Sequence, residues 1–226
     1  MIALVTGGTK GIGLAIVKAL KQEGHKVAVV GRSQNAPDCD LYIQADLHDK
    51  SKGIVDYVVK KLGGIDILVN NAGEQTLSPF VDYKLSDLQS QLELMLITPF
   101  LMSQEAARVM LPGSHIINIL STAAFQGARN IAGYITVKHA LLGLTRAMAI
   151  ELAPNIHVNA IAPGLTETDM IKDISPQREV LLKAITPMRR FCTPEEIADA
   201  LMYLVKSTAV YGQTITVDGG WMAKNG

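Results

Sequence analysis

From its first residues to its last, this chain alternates short apolar runs of strand length with segments of helical periodicity, which leaves few folds open to it. Ile2–Thr6 reads as a buried strand, and Ile12–Gln22 as a helix with Ile12, Ile16, Ala19 and Leu20 on one side. Lys26–Val30, Leu41–Gln44 and Ile65–Asn70 read as further strands, and residues 50–62 as helical. Leu85–Met110 reads as one long helix with Ser86 as its N-cap, followed by a strand over His115–Leu120, a helix over Gly133–Ala153 and a strand over Ile156–Ile161. Thr193 caps a helix over Pro194–Val205, with Pro194 in the first turn, and Gln213–Val217 is the last strand. Strands alternating with helices build βαβ units and a parallel sheet. The runs are apolar throughout because parallel strands are covered on both faces. These elements predict one α/β domain over residues 1–226: a Rossmann-type, doubly wound parallel sheet of about seven strands with helices on both faces.

The second crossover is short. Between Val30 and Leu41 lies only Gly-Arg-Ser-Gln-Asn-Ala-Pro-Asp-Cys-Asp, whereas a parallel crossover normally takes a dozen or more residues and a helix. An irregular loop is expected there, leaving one sheet edge thinly covered.

Composition excludes several classes. The formal net charge is +0, so the chain lacks the basic excess of a nucleic-acid binder. Its apolar runs stay below the roughly 18 residues that span a bilayer, and Met1 leads straight into Ile-Ala-Leu-Val without a basic leader. A cytoplasmic protein without membrane contact is expected. Cys39 and Cys192 form neither a metal nor a disulfide pattern, and no His, Asp and Cys cluster has metal-site spacing.

Thr6-Gly7-Gly8-Thr9-Lys10-Gly11-Ile12-Gly13 fills the first strand-to-helix turn. Glycines there allow a tight turn and let main-chain N–H groups approach phosphate, with the helix N-terminus adding partial positive charge. At the first βα turn of an alternating chain, this pattern points to a dinucleotide. An NAD site commonly carries Asp or Glu at the end of the second strand, but this chain has Gly31, Arg32 and Ser33. A guanidinium suits a 2′-phosphate, and Lys10 could approach the same group. NADP(H) is therefore expected in preference to NAD(H).

Tyr134-Ile-Thr-Val-Lys138 puts a phenol and an ammonium one helical turn apart on one face. An ammonium beside a phenol favours the phenolate, so the tyrosine is expected to titrate below about 10 and to exchange a proton with an alcohol oxygen near neutral pH. Ser121 could hold the same oxygen by hydrogen bond.

Together these features resemble the short-chain dehydrogenase/reductase family, in the form of a short 3-oxoacyl reductase-like member. Asp46-Leu47 resembles the acid-apolar pair flanking the adenine, and Asn70-Asn71-Ala72-Gly73 the end of the family's fourth strand. Asn159-Ala-Ile-Ala-Pro163-Gly164 and Thr168-Asp-Met170 resemble the nicotinamide wall, and Val217-Asp218-Gly219-Gly220 the end of the last strand. The resemblance implies that Ser121, Tyr134 and Lys138 are catalytic. Tyr134 would be the general acid/base, Lys138 would lower its pKa and hold the nicotinamide ribose, and Ser121 would position the substrate carbonyl. It further implies cofactor contacts at Gly7, Thr9, Lys10, Gly11, Ile12, Gly13, Arg32, Ser33, Asp46, Leu47, Asn70, Ala72, Gly73, Pro163, Gly164, Thr166 and Thr168. Residues 165–191 would form a lid. A homotetramer, or else a homodimer, is implied, with Leu92, Leu96, Leu141 and Leu144 as candidate assembly faces.

The chain departs from the family pattern at Met95, where an asparagine interrupts the long helix and helps relay protons. Pro99 lies four residues on and lacks an N–H, so the carbonyl of residue 95 loses its helical donor. Pro99 is expected to kink the helix and keep a relay through the main chain. The stretch Met110-Leu-Pro-Gly-Ser-His115 lacks Arg and Lys, offering little to an acidic carrier protein and favouring a free small-molecule carbonyl substrate. Arg108, Arg129, Arg189 and Arg190 remain available to an anion, and Glu74, Ala123, Phe125, Gln126 and Met170 are expected to shape the pocket. His115 and His157, at strand starts, read as surface or edge residues, and His139 as facing away from the site. The competing readings are an NAD-linked alcohol dehydrogenase of the same fold and a non-catalytic dinucleotide sensor.

Overall fold

The computed structural model describes residues 1–49, 51–172 and 174–224; Lys50, the expected start of one helix, and Asp173, within the expected lid, lie outside them. The strands are β1 (Ile2–Thr6), β2 (Lys26–Gly31), β3 (Leu41–Gln44), β4 (Ile67–Asn70), β5 (Ser114–Ile119), β6 (Ile156–Pro163) and β7 (Thr214–Val217). They form one sheet in the order β3-β2-β1-β4-β5-β6-β7, and every adjacent pair is parallel. The order reverses between β1 and β4, which opens a crevice at their carboxyl ends.

Successive strand residues face opposite sides, and both sides are filled. Ala3, Val5, Ile67, Val69, Ile117 and Ile161 pack with Ile16 and Leu20 of α1 (Gly11–Gln22). Leu4, Leu68, Ile116 and Val158 face the other way, against Val55 of α2 (Ile54–Leu62). Burial on both sides explains why the central strands read as unbroken apolar runs. Ile12 and Ala19 pack at the margin of the first core, as the helix pattern predicts.

Residues 32–40 contain no helix, as expected of so short a crossover. Asp40 compensates locally: its Oδ2 accepts the Val27 N–H at 2.8 Å and the Lys21 ammonium at 2.9 Å. The adjoining strand β3 is only half-buried.

The long helix differs from expectation. It starts as α3 (Leu85–Leu92), passes through a π-helical turn over Glu93–Ile97, and continues as α4 (Thr98–Ala107). The Thr98 N–H donates to the Glu93 carbonyl, so the Leu94 carbonyl loses its α-helical donor. Pro99, in the first turn of α4, withholds the next one, from Met95. A π-turn and a proline thus share the interruption. The N-cap is Lys84, without a side-chain hydrogen bond, rather than Ser86.

The remaining helices are α5 (Ala132–Leu152), α6 (Pro176–Ile185), α7 (Pro194–Lys206) and α8 (Trp221–Lys224). α7 starts with a capping box: Thr193 Oγ1 accepts the Glu196 N–H at 3.3 Å, and Glu196 accepts the Thr193 N–H at 2.8 Å. Arg190 pairs with Glu196 at 2.6 Å, which ties one candidate anion-binding arginine into the fold. Leu141 packs into a small third core with β6, and Leu92, Leu96 and Leu144 are partly buried against core residues. Ile97 and Phe100 around the π-turn and Ile150 on α5 carry exposed apolar surface. Among the described residues, no helix is long and apolar enough to cross a membrane.

His115 and His157 are buried, not surface residues. They are register partners on β5 and β6 with ring centroids 4.7 Å apart, and Tyr211 stacks on His157 at 4.4 Å. Burial, then the neighbouring His157, pulls the His115 pKa from 6.5 to about 4. Below the ordinary histidine value, the unfolded chain takes up a proton that the folded chain refuses, so stability falls as pH drops from 6.5 to about 4. We expect His115→Phe, which keeps the stacked ring, to retain on the order of 2 kcal/mol more stability than wild type at the acid end of this window relative to neutral pH. Denaturant melts across that range check it; parallel curves for the two proteins would count against the stack as the acid-sensitive group.

Candidate active site

The glycine turn is built against the end of β4. Thr6 Oγ1 accepts the N–H groups of Asn71 (2.9 Å) and Ala72 (3.0 Å), while Asn71 Nδ2 donates to the carbonyls of Thr6 (2.8 Å) and Gly7 (3.1 Å). Gly7 has φ +66°, and a Cβ there would stand 3.0 Å from the Ala72 main chain. At Gly13 the space of a Cβ is taken by the Gly7 carbonyl and the Asn71 amide. Lys10, at the N-cap of α1, makes no side-chain cap, so the main-chain N–H groups of the first turn carry the positive end of the helix into the crevice.

Arg32 and Ser33 follow β2 directly, and Tyr42 and Gln44 fix their main chain. The Tyr42 hydroxyl reaches the carbonyls of Ser33 (2.6 Å) and Gly31 (3.1 Å), and Gln44 Nε2 donates to the Arg32 carbonyl at 3.4 Å. A Cβ at Gly31 would come within 2.8 Å of the Thr9 methyl, so this position is crowded against any acidic side chain. The Arg32 side chain is 67% exposed, with its Nη1 3.8 Å from Asp46 Oδ2. Lys10, expected near the same phosphate, is paired with Asp169 at 3.0 Å.

The wall beyond β6 follows the sequence pattern. Gly164 donates its N–H to the Val217 carbonyl at 2.9 Å, and Thr166 Oγ1 donates to the Gly164 carbonyl at 3.1 Å. A bridge between Thr166 and Cys192 pins the base of the segment expected to be a lid, and the Thr168 side chain lies against Gly11. Burial pushes the Cys192 thiol up to about 11, which leaves it inert.

Two expected cofactor residues are turned inward. Asn70 is buried, and its Nδ2 donates to Ser103 Oγ (3.1 Å) and Asn118 Oδ1 (2.8 Å), so its side chain joins β4 to α4 and β5 rather than facing the crevice. The Leu47 side chain lies in the second core and its carbonyl accepts from Thr98, which leaves only its main-chain N–H for a ligand.

Ser121 lies two residues past the end of β5 and caps a short turn over Thr122–Ala124, accepting the Ala123 N–H at 3.1 Å. Tyr134 and Lys138 are buried on one face of α5. Lys138 Nζ donates to the Ile119 carbonyl at 2.8 Å and stands 5.5 Å from the centroid of the Tyr134 ring. Burial sets both pKa values. It raises the Tyr134 phenol, with a hydrogen bond from Ser121 opposing, and lowers the Lys138 ammonium to about 8. The expectation that the tyrosine titrates low is therefore corrected: burial moves it the other way. At neutral pH the site presents a protonated phenol beside an ammonium that readily releases its proton.

His139 is exposed on the opposite side of the helix, and Phe125 and Met170 are exposed near the mouth. Sequence reading missed the Asn71 lock on the glycine turn, the support of Arg32 by Tyr42, and the contact of His48 with Asp46. It also missed the seat of α5: Tyr83 donates to Gln91 Oε1 at 3.0 Å, and both press on Gly133, the residue before Tyr134. Asn71 adjoins the glycine turn only through β1–β4 pairing, a contact that sequence spacing does not reveal. Gly133, early in a predicted helix, was the one available signal for close packing.

A glycine cradle at a helix N-terminus and a Ser-Tyr-Lys group at the neighbouring strand end define a nucleotide-dependent oxidoreductase. The chain matches the family described as Enoyl-(Acyl carrier protein) reductase over residues 7–222. It is 35% identical to a 3alpha-hydroxysteroid dehydrogenase of Mediterraneibacter gnavus, over 96% of this chain and 95% of that protein. It is also 35% identical to a 3-oxoacyl-(acyl-carrier-protein) reductase of Aquifex aeolicus, over 97% of this chain and 96% of that protein. A solved blue fluorescent protein from a metagenomic library, in complex with NADPH, superposes with a TM-score of 0.91 at 30% identity, covering 97% of each chain. The chain belongs to the short-chain dehydrogenase/reductase family and is an NAD(P)-dependent oxidoreductase.

A Cβ at Gly133 would stand 2.7 Å from Gln91 Oε1 and closer still to the Tyr83 hydroxyl. We expect Gly133→Ala to cost about 1–3 kcal/mol of stability and to lower turnover by displacing Tyr134. Thermal melts and steady-state rates measured on the same preparation check this; unchanged turnover would mean that the start of α5 adapts.

Proposed function

We propose that this protein is an NADPH-dependent carbonyl reductase acting on a free small-molecule ketone. The convergence of Ser121, Tyr134 and Lys138 beside the glycine turn supports this reading most strongly. The turn suits a dinucleotide because its closest points have no room for a side chain, and its helix N-terminus favours an anion. When bound, the nicotinamide supplies the hydride. Ser121 would hold the substrate oxygen by hydrogen bond, and Tyr134 would deliver its proton to that oxygen as negative charge develops. Lys138 would contact the nicotinamide ribose and return a proton to Tyr134, and would regain its own from solvent through a water held at the main-chain carbonyls around Met95. The raised pKa of Tyr134 suits reduction, since a general acid must carry its proton at working pH.

Arg32, exposed and free of an acidic neighbour at position 31, is the assigned receptor for the 2′-phosphate. The NADPH-bound neighbour agrees with this preference. Asp46, 3.8 Å from Arg32, favours the alternative of an NAD-linked alcohol dehydrogenase. The exposed apolar surface of α4 and α5, at Phe100 and Ile150, would serve assembly into a homotetramer or homodimer.

Tyr134→Phe should lower carbonyl reduction about 10²–10⁴-fold while leaving NADPH affinity within a few-fold, as read by single-turnover rates and fluorescence titration. In wild type, reduction should fade as pH rises through the Tyr134 pKa and oxidation should gain. Full activity of the phenylalanine variant would overturn the assignment and favour a non-catalytic sensor. If the main-chain relay operates, Met95→Asn should not raise turnover; a rise of about ten-fold or more would mean that the wild-type relay is broken.

A further inference from the structure

A polar chain runs from Arg32 through Asp46 and His48 to Ser90 and Glu74, side chains that the proposed proton and hydride transfers do not use. Asp46 Oδ1 accepts two hydrogen bonds from His48, one from its main-chain N–H at 3.1 Å and one from Nδ1 at 2.8 Å. The other oxygen of Asp46 faces the Arg32 guanidinium at 3.8 Å, too far for a hydrogen bond. On its far side, His48 Nε2 lies 3.0 Å from Ser90 Oγ of α3 and 3.6 Å from Glu74 in the loop after β4. Ser90 donates its single hydroxyl proton to Glu74 at 2.5 Å. Nε2 therefore meets an oxygen that can only accept from it, and Nδ1 meets a carboxylate. With both ring nitrogens set against acceptors, the arrangement suits an imidazolium that donates from each.

The ring thus stands between two carboxylates and is anchored from two other parts of the fold. Asp46 spends its stronger contact on His48, leaving the donor fork of Arg32 open. Without His48, Asp46 would face Arg32 as an uncommitted carboxylate and would compete with an incoming phosphate for the guanidinium.

We propose that His48 is a positioning residue that sets the preference for NADPH over NADH by holding the Asp46 carboxylate off Arg32. This rests on the reading that Arg32 receives the 2′-phosphate. NADH lacks that phosphate but shares every other part of the cofactor. Damage to the adenine pocket weakens both cofactors together, whereas closure of Arg32 weakens NADPH alone.

The test is a parallel fluorescence titration of NADPH and NADH, at fixed pH and low salt, on wild type and variants. His48→Leu should lower the NADPH-to-NADH affinity ratio about two- to five-fold, the scale of an exposed ion pair. His48→Asn, whose amide can donate where Nδ1 does, should keep the wild-type ratio. In an Asp46→Asn background, where no carboxylate competes, His48→Leu should leave the ratio unchanged. His48→Phe gives the same readout with the ring's volume kept, should the leucine variant fail to fold. Equal weakening of both cofactors, or an effect that persists in the Asp46→Asn background, would overturn the role of His48. If Arg32→Ala abolishes the preference while His48→Leu leaves it intact, the role of His48 falls and that of Arg32 stands. If wild type binds the two cofactors equally and Arg32→Ala changes neither, the phosphate reading fails and takes the His48 assignment with it.

Discussion

The contact on which the site depends is the lock between the end of β1 and the end of β4. These strands are neighbours only because the sheet order reverses there, and the reversal opens the crevice. The hydroxyl of Thr6 and the amide of Asn71 then close the gap with four hydrogen bonds, which satisfy main-chain groups that the diverging loops would otherwise leave unpaired. The glycine turn is held from behind, so its N–H groups face outward. The absence of side chains at Gly7 and Gly13 makes that approach sterically possible.

Most of the fold was legible in the sequence because the central strands are apolar on both faces and the helices carry one-sided patterns. β1 and β3 match their expected bounds, and the N-cap at Thr193 follows from residue type alone. The long helix was less legible. Its apolar pattern runs on through Glu93–Ile97, so nothing in the periodicity marks a π-turn; only Pro99 hints at a break. His115 and His157 misled for another reason. Strand starts usually lie near solvent, but here the two rings bury each other under Tyr211.

The site was legible where motif residues act through their own chemistry, and less so where burial decides. Spacing places Tyr134 and Lys138 together, but it does not convey that both are sealed from water. In a polar setting the ammonium would dominate and pull the phenol down. In this interior, desolvation penalises both charged forms and drives the two pKa values apart: the phenol rises from 10.0, while the ammonium falls from 10.5 to about 8. A proton passing from the ammonium to a phenolate therefore discharges two penalised states at once, and the phenol stays protonated until a substrate oxygen arrives.

The cations at the rim follow the opposite rule. Lys10 and Arg32 are exposed, each faces an aspartate, and water screens both pairs. Exposed pairs of this kind contribute little to stability. Their effect falls instead on an incoming anion, which must compete with each carboxylate for its cation. Selectivity at such a rim depends on how firmly each aspartate is engaged elsewhere. Asp169 has no other hydrogen-bond donor within reach among the described side-chain contacts, whereas Asp46 has the two donors of His48. Two cations with equal formal charge therefore differ in availability, and the difference arises in their neighbours' hydrogen bonds rather than in the motif that carries them.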